Sequence, residues 1–383
     1  MINKWSVLIA GVFLQTILGG IYAWSTFVPF LIKEYGLSTG QTGFIFGLTI
    51  AVFTIAMIQA GRFMARKGPR LTAFIGACLF ATGYVLSSFS NGNFALLLIS
   101  IGFITGSGIG FGYVCPLSVG MKWFPERKGL VTGVAVAGFG GGAIILSSAG
   151  EYLIMNGMDV LLFFRYLGIV AGALMMIMSF FITDPEGYEN AAGSEKRQSG
   201  IRSRQFAILA FGLFAGTFSG LMIIGNLKPI MLKAGLSEVF ATSTISLFAV
   251  GNALGRVTWG HLFDRLYYKS ITASLSVLFV ALPFLLFPIG QLGFQIISVI
   301  LGLGFGACFV VYASSVSKFF GMNRFASIYP MVFLGYGFAG LTGPGIGGGI
   351  ADCYGSYDPA VYLSMGIIAT AIVFFAVSEK SLR

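Results

Sequence analysis

Long apolar runs, separated by short polar loops, make up most of this 383-residue chain. A helix needs about 20 mostly apolar residues to cross the hydrocarbon core of a bilayer. The runs lack the alternation at every second residue that barrel strands show. The pattern therefore predicts an all-α membrane protein with twelve membrane-spanning helices, at approximately 5–30, 40–63, 70–89, 93–119, 129–150, 159–183, 205–227, 237–262, 269–289, 293–317, 325–350 and 358–378.

The longest hydrophilic stretch divides these spans into two sets of six. It runs from 184 to 204 and reads DPEGYENAAGSEKRQSGIRSR. We predict an N-terminal six-helix bundle (1–183), a cytoplasmic linker (184–204) and a C-terminal six-helix bundle (205–383). Of the 23 Lys and Arg residues, 18 lie on the side of the two termini, three on the other side and two within spans. This bias predicts cytoplasmic termini in a cytoplasmic (inner) membrane.

Composition and charge exclude other classes of protein. Apolar residues account for 56% of the chain and charged residues for 9%, against about 25% charged residues in soluble domains. The net charge of +10 lies in short loops, so we expect no nucleic-acid partner. The four cysteines lack metal-ligand spacing, and we expect reduced packing residues, no metal and no cofactor.

The loops repeat between the two halves of the chain. GRFMARKGPR (61–70) after span two matches GHLFDRLYYK (260–269) after span eight, and KWFPERK (122–128) matches KFFGMNR (318–324) after span ten. A duplicated bundle related by an axis along the membrane normal predicts a binding site at the midplane between its halves.

Arg256 is the main candidate for the chemistry of that site. A charge inside a membrane is costly and marks a functional position by default. Because no carboxylate is clearly placed at mid-membrane, we predict that Arg256 pairs with a small organic anion, since guanidinium groups bind carboxylates through two parallel hydrogen bonds. Asn252 lies one turn earlier on the same helix face. The alternative is that Arg256 belongs to the cytoplasmic loop cluster and extends to the interface.

Two further polar residues have structural interpretations. Arg165 opens span six near the outer face and is interpreted as an interfacial anchor. His261 is the single histidine and lies in the GHLFDR loop. Although histidine titrates near neutral pH, we expect a structural or gating contact there rather than proton relay.

Several motifs resemble those of known transporters. The loops after spans two and eight look like the signature of the major facilitator superfamily, although Ala65 stands where an Asp is usual. YAWSTF (22–27), GIGFGY (108–113), KWFPERKGLVTG (122–133) and GFGGGA (138–143) are similar to the oxalate/formate antiporter family, a relative of the monocarboxylate transporters. The resemblance covers the whole chain and implies two six-helix bundles that transport by alternating access. We expect a monomer.

The resemblance also assigns site residues. In both families a span-eight Arg binds the substrate carboxylate, and it corresponds to Arg256. Many monocarboxylate transporters have an Asp one turn before that Arg, where this chain has Asn252. The oxalate transporter of the family has a Lys in span eleven, where this chain has Tyr336. Positions that line the cavity in the oxalate/formate family correspond to Tyr22, Tyr113, Phe139, Phe309 and Phe333.

One cation matches one carboxylate, so the predicted substrate is a monocarboxylate of the lactate or pyruvate type, with a proton as the expected co-transported partner. An antiporter of the oxalate/formate type and a multidrug exporter of the same fold stay open as alternatives. A membrane enzyme is disfavoured because the chain lacks HExxH, paired carboxylates within spans and a second histidine. The glycine runs at 106–112, 138–142 and 343–349 predict close helix packing rather than dinucleotide binding.

Overall fold

A computed structural model describes residues 3–187 and 204–382, and all regular structure in these ranges is helical. Most of the predicted linker (184–204) lies outside the described residues. The α-helices are α1 (Lys4–Gly19), α2 (Trp24–Tyr35), α3 (Thr39–Lys67), α4 (Pro69–Ser87), α5 (Phe94–Leu97), α6 (Gly106–Trp123), α7 (Lys128–Met155), α8 (Val160–Ser179), α9 (Arg204–Lys233), α10 (Glu238–Leu266), α11 (Lys269–Ala281), α12 (Gly290–Phe320), α13 (Met322–Tyr354) and α14 (Asp358–Leu382).

Three spans contain segments of other helical geometry. A 3-10 segment, Gly20–Ala23, joins α1 to α2 within the first span. A π-helical segment, Leu98–Thr105, joins α5 to α6 within the fourth span. A second 3-10 segment, Leu282–Leu286, extends α11 and has Pro283 near its start. Counted with these segments, the helices correspond to the twelve predicted spans, which confirms the fold class.

One span differs from the others in polarity. Among the described residues, eleven helices are long and apolar enough to cross a membrane, and α10 is not one of them. It has 29 residues, which is sufficient length, but it contains Asn252, Arg256 and Asp264. The least typical span is therefore the helix that contains the predicted anion site.

Local sequence explains several helix boundaries. Asn3 caps α1 because its Oδ1 accepts a hydrogen bond from the Ser6 N–H at 2.9 Å, while the Ser6 Oγ accepts one from the Asn3 N–H at 3.0 Å. Asp159 caps α8 by accepting hydrogen bonds from the N–H groups of Leu161 and Leu162. Such caps satisfy N–H groups that have no partner within their helix.

The described chain divides into two compact units, of which the first comprises 3–125 and 135–187. Glycines allow close helix contacts in this unit. A Cβ on Gly108 of α6 would lie 2.5 Å from the Phe80 N of α4, and a Cβ on Gly110 would lie 2.6 Å from the Phe53 O of α3. These distances confirm that the glycine run at 106–112 serves helix packing.

The second unit comprises 126–134 and 204–382, and so includes the first turns of α7. Within this unit, the Asp264 carboxylate of α10 accepts hydrogen bonds from the N–H groups of Gly129 and Leu130 at 2.8 and 2.9 Å. A carboxylate at this position accepts hydrogen bonds from N–H groups at the start of α7 that have no partner within their helix, and it complements the helix dipole. The contact gives a structural role to the Asp of the second loop motif.

Candidate functional site

Arg256 lies at a close crossing of α10 and α12, in the second unit. Each helix contributes two glycines spaced four residues apart, and their added Cβ atoms would collide with the opposite backbone. On Gly255 the Cβ would lie 2.4 Å from the Leu303 O, and on Gly302 it would lie 2.2 Å from the Phe248 O. Only glycine permits backbones to approach so closely. The four glycines are Gly251, Gly255, Gly302 and Gly306.

This crossing fixes the surroundings of the Arg256 side chain, which is 0% exposed. Its Nε donates a hydrogen bond to the Asn252 Oδ1 at 3.1 Å. Its guanidinium carbon lies 4.5 Å from the ring centroid of Phe309, within the range of a cation–π interaction. The burial confirms that Arg256 is an internal cation, and the alternative of a side chain extending to the interface is wrong.

The other predicted aromatic residues of the second unit contact Phe309. The Phe309 ring contacts the Tyr336 ring edge to face at 5.3 Å and the Phe333 ring at 6.3 Å. Phe333 and Tyr336 lie 5.1 Å apart, and all three side chains are buried. We call Arg256, Asn252, Phe309, Phe333 and Tyr336 the cationic cluster. The structure thus brings all five predicted residues of this unit together.

The predicted aromatic residues of the first unit also meet. Phe139 of α7 contacts Tyr22 at 5.4 Å and Tyr113 at 5.3 Å between ring centroids. Phe53 joins them, at 5.2 Å from Tyr113 and 6.3 Å from Phe139. Phe53 was not predicted from the sequence, because nothing distinguishes it among 39 phenylalanines.

Gln15 is a second residue of this region that was not predicted from the sequence. It is 0% exposed, and its Nε2 donates a hydrogen bond to the Tyr113 carbonyl at 3.0 Å. The helices α1 and α6 approach closely here, since a Cβ added to Gly11 would lie only 3.2 Å from the Pro116 Cβ. A polar residue inside the apolar run SVLIAGVFLQTILGG was the available signal. We call Gln15, Tyr22, Phe53, Tyr113 and Phe139 the neutral cluster.

The remaining candidates lie elsewhere. Arg165 donates from Nε to the Ser88 Oγ at 3.0 Å, and its guanidinium carbon lies 4.6 Å from the Phe89 ring centroid. This half-buried arrangement agrees with an anchoring role. His261 has an exposed side chain.

Tyr35 and Asp159 connect the end of α2 to the start of α8. The Tyr35 hydroxyl donates a hydrogen bond to the Asp159 carboxylate. Burial and this hydrogen bond raise the pKa of Tyr35, so the phenol keeps its proton and continues to act as the donor. The contact joins these two helix ends within the first unit.

Comparison with known proteins identifies the family. The model of the Major Facilitator Superfamily matches residues 8–329 and 209–382. The chain belongs to this superfamily.

Its relatives include anion transporters. The chain is 29% identical over 352 residues to the MFS-type transporter YhjX of Escherichia coli, covering 88% of this chain and 86% of that protein. It is 25% identical over 370 residues to the oxalate:formate antiporter of Oxalobacter formigenes, covering 92% and 86%. It is 25% identical over 405 residues to monocarboxylate transporter 2 of Homo sapiens, covering 96% and 84%. These relatives confirm the resemblance seen in the motifs.

A solved structure supports the fold. The superfamily transporter FucP, in its outward conformation, is similar to this chain with a TM-score of 0.73 and 16% identity, covering 96% of both chains. At this identity the similarity shows the fold alone.

Proposed function

We propose that this superfamily member carries a small monocarboxylate across the cytoplasmic membrane and binds its carboxylate at Arg256. The observation that carries the proposal is a completely buried guanidinium, held by Asn252 and Phe309. Charge inside a membrane protein is costly and marks ion and substrate pathways. The oxalate:formate antiporter and monocarboxylate transporter 2, both named for carboxylate anions, support this choice of substrate.

The contacts of Arg256 suit an anion. Asn252 accepts its Nε–H through a neutral amide oxygen, which orients the guanidinium without cancelling its charge. Phe309 covers one face of the guanidinium. A carboxylate that binds in the guanidinium plane leaves this stacking undisturbed and gains two parallel hydrogen bonds.

The charge of the site favours a monoanion. Tyr336 supplies an aromatic ring in the cationic cluster, and the sequence has no Lys or Arg between Arg324 and Lys380. One guanidinium balances one carboxylate, whereas a dianion would keep an uncompensated buried charge. Lactate and pyruvate therefore fit the cluster better than oxalate does.

We further propose transport by alternating access, with a proton as the co-transported ion. Neutralising Arg256 by the bound anion lowers the cost of moving a buried charge. The halves of a duplicated bundle then rock about the bound substrate.

The test is uptake of labelled L-lactate by proteoliposomes that contain the purified protein, with and without an inward proton gradient. Pyruvate, formate and oxalate are the competitors. We expect gradient-driven uptake that pyruvate blocks and oxalate does not. Uptake only into vesicles preloaded with a carboxylate would favour exchange, as in the oxalate/formate antiporter. No uptake in either format would reject the substrate class and favour the drug-exporter alternative.

A further inference from the structure

The amide of Gln15 has a fixed orientation in the first unit. Its Nε2 lies 3.0 Å from the Tyr113 carbonyl oxygen. A carbonyl oxygen only accepts hydrogen bonds, so the NH2 group must face it and Oε1 must point elsewhere. The Gln15 Oε1 is buried and has no hydrogen-bond partner among the residues that the structure describes.

A buried acceptor without a partner is costly, and buried polar groups in native proteins are nearly always paired. The missing partner must be a hydrogen-bond donor. An ionised carboxylate is acceptor-only, so the charged end of the substrate is the wrong partner for Oε1. A hydroxyl group is a suitable one.

Gln15 is hydrogen-bonded to the backbone of Tyr113, one of the residues that the motifs associate with substrate. The Tyr113 ring contacts Phe53 and Phe139, and Phe139 contacts Tyr22. Within this cluster, Gln15 provides an amide acceptor for which the described residues supply no donor. Its own partner in the fold is the backbone of Tyr113 rather than another side chain.

We propose that Gln15 is a specificity-determining residue whose Oε1 accepts a hydrogen bond from the hydroxyl of a 2-hydroxy monocarboxylate. This inference rests on the proposed function, since it names the group on the transported acid that the first unit recognises.

The first experiment uses the unaltered protein and pairs of acids that differ by one hydroxyl. Lactate is compared with propionate, and glycolate with acetate, as competitors of labelled L-lactate uptake in proteoliposomes. We expect each hydroxy acid to compete about tenfold better than its partner, the effect of one good hydrogen bond. Equal competition within each pair overturns the inference and leaves the proposed function standing. Failure of all four acids to compete rejects the proposed function instead.

The second experiment replaces Gln15 by Met, which keeps the side-chain length and removes the acceptor. We expect the preference for lactate over propionate to fall to about one, with propionate uptake retained. An equal loss for both acids would assign Gln15 a packing role and overturn the inference. The matched control is Thr16→Val, because the Thr16 hydroxyl already donates to the Val12 carbonyl at 2.9 Å. It should leave the preference unchanged.

Discussion

The neutral and cationic clusters have similar constructions and opposite electrostatics. Each contains aromatic rings from at least two helices and one non-aromatic polar side chain that is 0% exposed, Gln15 in the first unit and Arg256 in the second. Gln15 is held by a backbone carbonyl and Arg256 by a side-chain amide. The comparison teaches that a duplicated bundle can keep aromatic surroundings in both halves and confine the buried charge to one. A second cation would add the free-energy cost of another buried charge, and a monoanion would not balance it.

The largest expected effect comes from Arg256→Gln, which gives the second unit a neutral amide like that of the first. We expect lactate uptake to fall at least about 30-fold, because losing one partner of a buried charged hydrogen-bonded pair costs about 2–5 kcal/mol. Initial rates in proteoliposomes measure the effect. Arg165→Gln is the matched control and should retain most activity, since Arg165 contacts Ser88 and Phe89 outside both clusters. Near-normal uptake by R256Q would remove Arg256 from the mechanism.

A smaller effect is expected from Asn252→Asp, which keeps the hydrogen bond to the Arg256 Nε and adds a negative charge. The new carboxylate would compete with the substrate for the guanidinium, so we expect the affinity for lactate to fall about tenfold. Competition binding measures the change. Asn252→Ala removes the amide without adding charge and should cost less. If N252D binds lactate as tightly as the unaltered protein, the neutrality of Asn252 has no role in binding.

Tyr336→Lys should change selectivity more than total activity. It adds a second cation to the cationic cluster, and we expect inhibition by oxalate to improve about fivefold relative to inhibition by lactate. The effect is moderate because a lysine in buried surroundings loses part of its charge. Tyr336→Phe keeps the ring and should leave the ratio unchanged. An unchanged ratio in Y336K would show that this position does not set substrate charge.

Most of the fold followed from hydropathy alone, because each span needs a minimum apolar length whatever its neighbours are. The changes of helical geometry within spans did not follow from hydropathy. Gly20–Ala23 and Leu98–Thr105 change helical geometry inside continuous apolar runs, where composition carries no boundary signal. The span α10 shows the opposite case: it does not reach the hydropathy of the others, yet its mostly apolar run at 237–262 was long enough to be predicted as a span.

The candidate site was predictable at positions where a residue type is rare within membrane spans. Arg256 stood out because a buried cation is exceptional, and Asn252 followed from its spacing of one helical turn. Phe53 was not predictable, because its place beside Tyr113 depends on how α3 packs on α6. Gln15 had a signal in its polarity, but the hydrogen bond to the Tyr113 carbonyl depends on tertiary contacts.

The glycine crossing of α10 and α12 has a consequence for how such a transporter can diversify. The backbones of these two helices touch at four positions, so neither can shift or accept a larger residue there without separating from the other. Arg256 is therefore part of an inflexible frame, whereas Tyr336 belongs to α13 and contacts that frame through the ring of Phe309 on α12. We therefore expect single substitutions at Tyr336 to admit new substrates while leaving the packing of α10 and α12 intact.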